Sequence, residues 1–340
     1  AFFGGLAAYI YLKIKIKKAN LLPKNVADDE VLISSKEIIR KILMYSIPFI
    51  MISLVNNLYT TVDMILLSRT MNDLLHLKSS IVDSIVGVYT TWGIKLNNII
   101  LAVSTGLVTS LIPNIVTSFT KKDMKDVNDK FNKAIQCVLL VIVPMTIFLS
   151  LLVHPVWTLF YGKSYYGPIV YQYFVYTALF GGVYTIIVNT LQGINKYKLV
   201  IATVMVGLIT NAILDVPLML LFDKMGMNVS YGAITAALIG YTLSIVTSLS
   251  ILKRKYLFRF DQTFKKLPKY LFSWLCFILS IYLMKLFIPT NLPGRFIQIP
   301  ILMVYGVVSF LIYIYINYKN GNIKSVFGNK IHFALKKYLK

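Results

Sequence analysis

Acidic residues are scarce in this chain. Thirteen Asp and Glu stand against 35 Lys and Arg, and charged residues of either sign make up only 14% of 340 positions. Soluble domains carry roughly 25% charged residues, so a water-exposed surface of ordinary extent is excluded. Cysteine is almost missing. Cys137 and Cys276 lie in separate apolar runs without metal-like spacing, which leaves no disulfide framework or thiolate centre and reads both as small core residues. The three histidines, His76, His154 and His332, are scattered. There is no Ser/His/Asp arrangement, no HExxH and no phosphate-cradling glycine loop. These absences point away from an enzyme.

What the chain has instead is apolar length, with 57% hydrophobic residues. Long apolar segments run over about 43–68, 86–118, 134–160, 169–193, 199–222, 231–252, 270–288 and 297–317. Each approaches the ~20 residues that cross a bilayer as a helix. The reading is an all-α polytopic membrane protein with eight spans. The opening residues 1–12 (AFFGGLAAYIYL) are too short to span, and read as the end of a preceding membrane helix whose remainder lies upstream.

Basic residues set the orientation. The segments 13–41, 118–134, 194–199, 253–269 and 318–340 hold eight, five, two, seven and six Lys and Arg, which is 28 of the 35. The alternate loops hold six (Arg69, Lys78, Lys163, Lys224, Lys285, Arg295), and Lys95 lies within a span. Such alternation is the positive-inside pattern, which predicts the 13–42 linker and the C-terminal tail in the cytoplasm. The net charge of +22 then faces anionic membrane lipids rather than nucleic acid. The linker reads as running into a short amphipathic helix. The tail, ending HFALKKYLK, reads as a surface helix or a solvated end.

Three ionisable residues sit inside spans: Asp63, Lys95 and Asp215. An acid at a membrane helix centre costs roughly 2.5–3.5 kcal/mol on insertion scales. In LVIATVMVGLITNAILDVPLMLLF (199–222), Asn211 and Asp215 are four residues apart and share a face. Pro217 removes the donor that would serve the Ile213 carbonyl, leaving that carbonyl available to the same region. Two carboxylates in apolar surroundings need a counter-ion or a proton. Asp63 and Asp215 are therefore expected to face one cavity and bind a cation, sodium or a proton, while Lys95 meets an anionic substrate. The outer loops offer only Asp73, His76, Asp83 and Asp223, unpaired, which gives no support to a transferase acting on lipid-linked sugars.

Five ordered stretches carry a family resemblance: SIPFIMISLVNNLYTTVDMILLSR (46–69), KLNNIILAVSTGLVTSLIPNIVTSF (95–119), LVHPVWTLFYG (152–162), NTLQGINKYKLVIATVMVGLITNAILDVPLM (189–219) and YGAITAALIGY (231–241). Together they resemble the multidrug/oligosaccharidyl-lipid/polysaccharide exporter superfamily. Within it they are most similar to the branch of stage V sporulation protein B and the MurJ-type lipid II flippases. The resemblance implies two six-helix bundles facing each other across a cavity, plus two extra C-terminal helices. This chain would hold the end of the sixth helix (1–12), the basic linker (13–42), the second bundle (43–255), a cytoplasmic loop (256–269), the extra pair (270–317) and a basic tail (318–340). The first bundle would be missing. Carried over by position, the sodium ligands would be Asp63, Asn211, Asp215 and the backbone carbonyl of Ala233. The family often has Thr where this chain has Ala237, and Thr235, two residues away, points to another face. Lys95 is the local candidate for a substrate-binding cation, and no cofactor is expected beyond sodium as coupling ion.

The function so implied is a flippase exporting an undecaprenyl-linked cell-wall precursor, lipid II first, by cation-coupled alternating access. The alternatives are a flippase for another lipid-linked polysaccharide unit, a sporulation paralogue, and a drug/cation antiporter of the same superfamily.

Overall fold

The computed structural model describes residues 2–18, 34–290, 292 and 294–329. The tail stretch HFALKKYLK, expected to lie on a surface, falls outside them. Every regular element among the described residues is helical. The chain divides into two units, 1–49 and 50–340.

In the first unit, α1 (Phe2–Lys18) carries the apolar opening and continues through the lysines. Lys15, Lys17 and Lys18 occupy its last turn, where cations meet the negative end of the helix dipole. The helix thus ends six residues beyond the apolar run. The second helix, α2 (Ser35–Arg69), begins in this unit with Glu37 in its first turn and ends in the next. The polar 35–42 and the apolar 43–68 therefore belong to one helix, in place of the expected short amphipathic helix followed by a span.

The second unit continues with α3 (Ser79–Gly87), α4 (Gly93–Thr120), α5 (Met124–Leu151), α6 (Val153–Tyr161), α7 (Tyr166–Phe174), α8 (Tyr176–Gly193), α9 (Tyr197–Lys224), α10 (Val229–Tyr256), α11 (Asp261–Phe287) and α12 (Gln298–Lys319). Among the described residues, seven stretches are long and apolar enough to cross a membrane: 79–120, 124–151, 166–193, 197–224, 229–256, 261–287 and 298–319. The eighth expected apolar run, 43–68, lies within α2. Helices outrun the apolar runs at most ends, because polar residues at a membrane surface still complete their backbone bonds within the helix.

Two spans are interrupted. Between α3 and α4, residues Val88–Trp92 form a wide π turn, closed by the Gly93 N–H donating to the Val88 carbonyl. A Cβ on Gly93 would lie 2.7 Å from that carbonyl oxygen, so the turn requires glycine. Between α7 and α8 the helix breaks at Val175. The Ala178 N–H donates to Val175 O at 3.1 Å, one residue short of the α register, and leaves Phe174 O to side chains.

The tightest seam joins α9 and α10. Buried Gly232, Ala236, Gly240, Ser244 and Ser248 recur at every fourth position of α10. They face the α9 stripe Thr203, Gly207, Asn211, Asp215 and Met219, also buried and also spaced by four. Ser244 Oγ donates to Thr203 O at 2.8 Å. Small residues let membrane helices approach closely where no hydrophobic force separates lipid from protein.

The last two helices fasten to α5 and α6. Tyr313 Oη donates to Leu140 O at 2.9 Å and Lys285 Nζ to Leu151 O at 2.7 Å. Arg295 reaches the end of α6, donating from Nε to Leu159 O at 2.7 Å and from Nη2 to Phe160 O at 2.8 Å. At the opposite end Asn132, 1% exposed, bonds to Arg259 O at 2.7 Å and accepts from Thr263 N and Oγ1 at 3.1 and 2.7 Å.

Candidate functional site

The polar face of α9 meets α2. Asn211 and Asp215 are fully buried, at 0% exposure, on the α9 stripe that packs against the small-residue face of α10. Asp63, partly buried on α2, accepts a hydrogen bond from Asn211 Nδ2. Asn211 thus bonds to Asp63 and stands one helical turn from Asp215, although Asp63 and Asp215 are 152 positions apart in sequence.

This cluster is rich in acceptors. Asn211 Oδ1 and both carboxylate oxygens of Asp215 are buried without a hydrogen-bond partner among the described residues. No Lys or Arg among those residues pairs with either acid; the ion pair found there, Lys130 with Asp126, lies elsewhere. A buried charge without a partner is costly enough that the group neutralises or takes a counter-ion. Carboxylate and amide oxygens suit a hard cation or a proton. Among the described residues no cluster of three or more His, Cys, Asp or Glu occurs.

The remaining expected residues fall into place unevenly. Ala233 is buried at 3% exposure on α10. Thr235 turns its hydroxyl to its own helix, donating to Tyr231 O at 2.7 Å. Ile213 projects from the far side of α9 with its side chain 66% exposed, so the residue whose carbonyl Pro217 frees is not on the face of Asn211 and Asp215. Lys95 is exposed, with Nζ 5.4 Å from the centre of the Trp92 ring.

Asp63 also borders a cavity of about 210 Å³. Its walls come from α2 (Thr60, Asp63), the π turn (Tyr89, Thr90), α4 (Asn97, Asn98), α8 (Thr177, Gly181) and α10 (Ala237, Tyr241). The two helix breaks shape it. The π turn presents Tyr89 and Thr90, and such turns recur at functional sites. The break at Val175 frees Phe174 O, which accepts from Thr177 Oγ1 at 2.7 Å and from Asn97 Nδ2 at 3.5 Å. Lys95 is not among the lining residues, while Asn98, three positions on, is. Sequence reading missed Asn97. Its signal was the Asn97–Asn98 pair inside an apolar run.

Comparison with known proteins gives consistent matches. The family model described as lipid II flippase MurJ matches residues 1–169. The lipid II flippase MurJ of Bacillus subtilis (strain 168) is 25% identical over 338 residues, covering 97% of this chain and 60% of that protein. A solved structure, lipid II flippase MurJ in an inward closed conformation, superposes with a TM-score of 0.60 at 19% identity, over 87% of this chain and 58% of that one. The chain thus spans less than two thirds of the length of each relative. The structural likeness carries the fold.

Proposed function

We infer that the chain is a member of the lipid II flippase MurJ family and the cation-coupled part of a membrane exporter whose cargo is an undecaprenyl-linked cell-wall precursor, lipid II first. The observation that carries the coupling is the joining of Asp63 on α2 to Asn211, one turn from Asp215 on α9, with buried oxygens left unpaired. A sodium ion held there by Asp63, Asn211 and Asp215, with the Ala233 carbonyl as a further oxygen, would tie two helices that are distant in sequence. Such an ion biases a transport cycle only by its different affinity for the two states. Alternating access around a cavity is the movement it would bias.

The basic ends of the helices face the cytoplasm in this reading, following the excess of Lys and Arg at alternate ends. Lys95 shares a helical face with Asn98 and is exposed. It is the local cation that an anionic pyrophosphate group could meet.

The test uses the full-length protein in proteoliposomes with a sodium gradient. Asp215→Ala and Asp215→Asn are expected to remove the sodium dependence of lipid II translocation at unchanged protein level. Unaltered sodium dependence would sink the cation role. Rescue of cells depleted of their lipid II flippases tests the cargo. Failure there, with rescue of another lipid-linked polysaccharide exporter, would transfer the same mechanism to a different glycan.

A further inference from the structure

The cavity beside Asp63 holds a second set of oxygens that the paired acids do not account for. Asn97 is 6% exposed and lines it. Its Nδ2 donates to Thr177 Oγ1 at 3.0 Å and to Phe174 O at 3.5 Å. A backbone carbonyl only accepts, so the amide is fixed with its nitrogen toward Phe174. Its Oδ1 is consequently a fixed acceptor, buried and without a hydrogen-bond partner among the described residues.

Three hydroxyls of the cavity wall give their protons to backbone carbonyls instead. Thr177 Oγ1 donates to Phe174 O at 2.7 Å, Thr90 Oγ1 to Val86 O at 3.0 Å and Tyr89 Oη to Ser230 O at 2.7 Å. What each retains for a ligand is lone pairs. These oxygens share the cavity with the Asp63 carboxylate, and no Lys or Arg lines it. A space of about 210 Å³ is large enough for an alkali ion with several waters, each water occupying ~30 Å³ in the liquid.

We propose that this cavity is a second station for an alkali cation, with Asn97 Oδ1 as its fixed ligand and Asp63 shared with the buried Asn211–Asp215 pair. The proposal rests on the cation reading of those acids and extends it. The ion is held first between Asn97 and Asp63, and passes from Asp63 to Asp215. The Ala237 side chain on this wall is a methyl, and Asn97 of α4 offers the fixed oxygen.

The test is equilibrium binding of radioactive sodium to full-length protein in nanodiscs, which needs no transport. Asn97→Leu should weaken binding about ten-fold or more, the usual effect of removing a neutral dipole from a charged group. Asp215→Asn should leave a weaker binding step, and adding Asn97→Leu to it should abolish that step. Should Asn97→Leu fail to fold, Asn97→Asp keeps an oxygen and adds charge, and should tighten binding several-fold. Wild-type affinity in both Asn97 variants would overturn the second station and leave the first standing. Complete loss of binding in Asp215→Asn alone would mean one site rather than two, and would also overturn it. Absence of sodium binding in the wild type would remove both readings.

Discussion

Replacing Gly232 with alanine should separate two helices that nothing else on the seam separates. A Cβ at this position would stand 2.5 Å from both the Leu218 carbonyl carbon and the Met219 nitrogen, and 2.6 Å from Leu218 O. All three are backbone atoms of α9, so no side chain can turn aside. Ordinary carbon contacts begin near 3.5 Å, so α10 must withdraw by about 1 Å at this point. Overpacking of this kind costs about 1–3 kcal/mol, which for domains of 150–250 residues lowers a melting temperature by roughly 2–12 °C. The withdrawal also shifts Ala233, the next residue and the proposed carbonyl ligand, relative to α9. Thermal unfolding in nanodiscs with and without sodium reads both effects. Gly106→Ala is the control, since nothing lies within 4 Å of its Cβ position. There alanine should stabilise, because the glycine costs chain entropy without a packing reason. If Gly232→Ala melts with Gly106→Ala and keeps its full sodium-dependent shift, the close approach of α9 and α10 is not what positions the acids.

Two further outcomes are expected. Asn132→Ala removes the amide that serves Arg259 O and Thr263, at about 2–3 kcal/mol for the groups left unpaired. Hydrogen exchange over 259–266 should quicken, and unchanged protection would show that α11 is held by other contacts. For orientation, Lys163→Cys in a basic-poor loop should react with a membrane-impermeant maleimide on intact cells. Lys121→Cys at a basic-rich turn should react only after permeabilisation; the reverse order would invert the assigned sidedness.

The paired acids were legible in the sequence because an acid in an apolar helix is costly and rare. The spacing of Asn211 and Asp215 put them on one face, and the buried stripe of α9 carries that face inward. That Asp63 meets this face required the fold, since no local pattern links α2 to α9. The spans were legible as apolar length, but their interruptions were not. The break at Val175 lies between two apolar residues with no glycine or proline beside it. The π turn at 88–92 is marked only by the flanking Gly87 and Gly93, two of several glycines scattered through the spans. Both breaks are settled by what packs around them, which period and composition do not report. Lys95 and Asn97 illustrate the same limit. They are two positions apart on one helix, and a charge drew attention to the first while the orphaned oxygen belongs to the second.

The period-four seam of α10 has a consequence for register. A helix with a small residue at every fourth place looks nearly the same to its partner after sliding by one turn. Ala236 would come to where Gly240 was, and Ser244 to where Ser248 was, with modest change. Such a surface carries little information about where along its length the partner belongs. Gly232 supplies it. There the partner's backbone comes too near for any side chain, so Ala236 cannot take its place. The seam is thus a smooth rail with notches: Gly232 lies against Leu218 and Met219, one turn beyond Asp215, and Gly207 of α9 lies against Gly240 and Ser244.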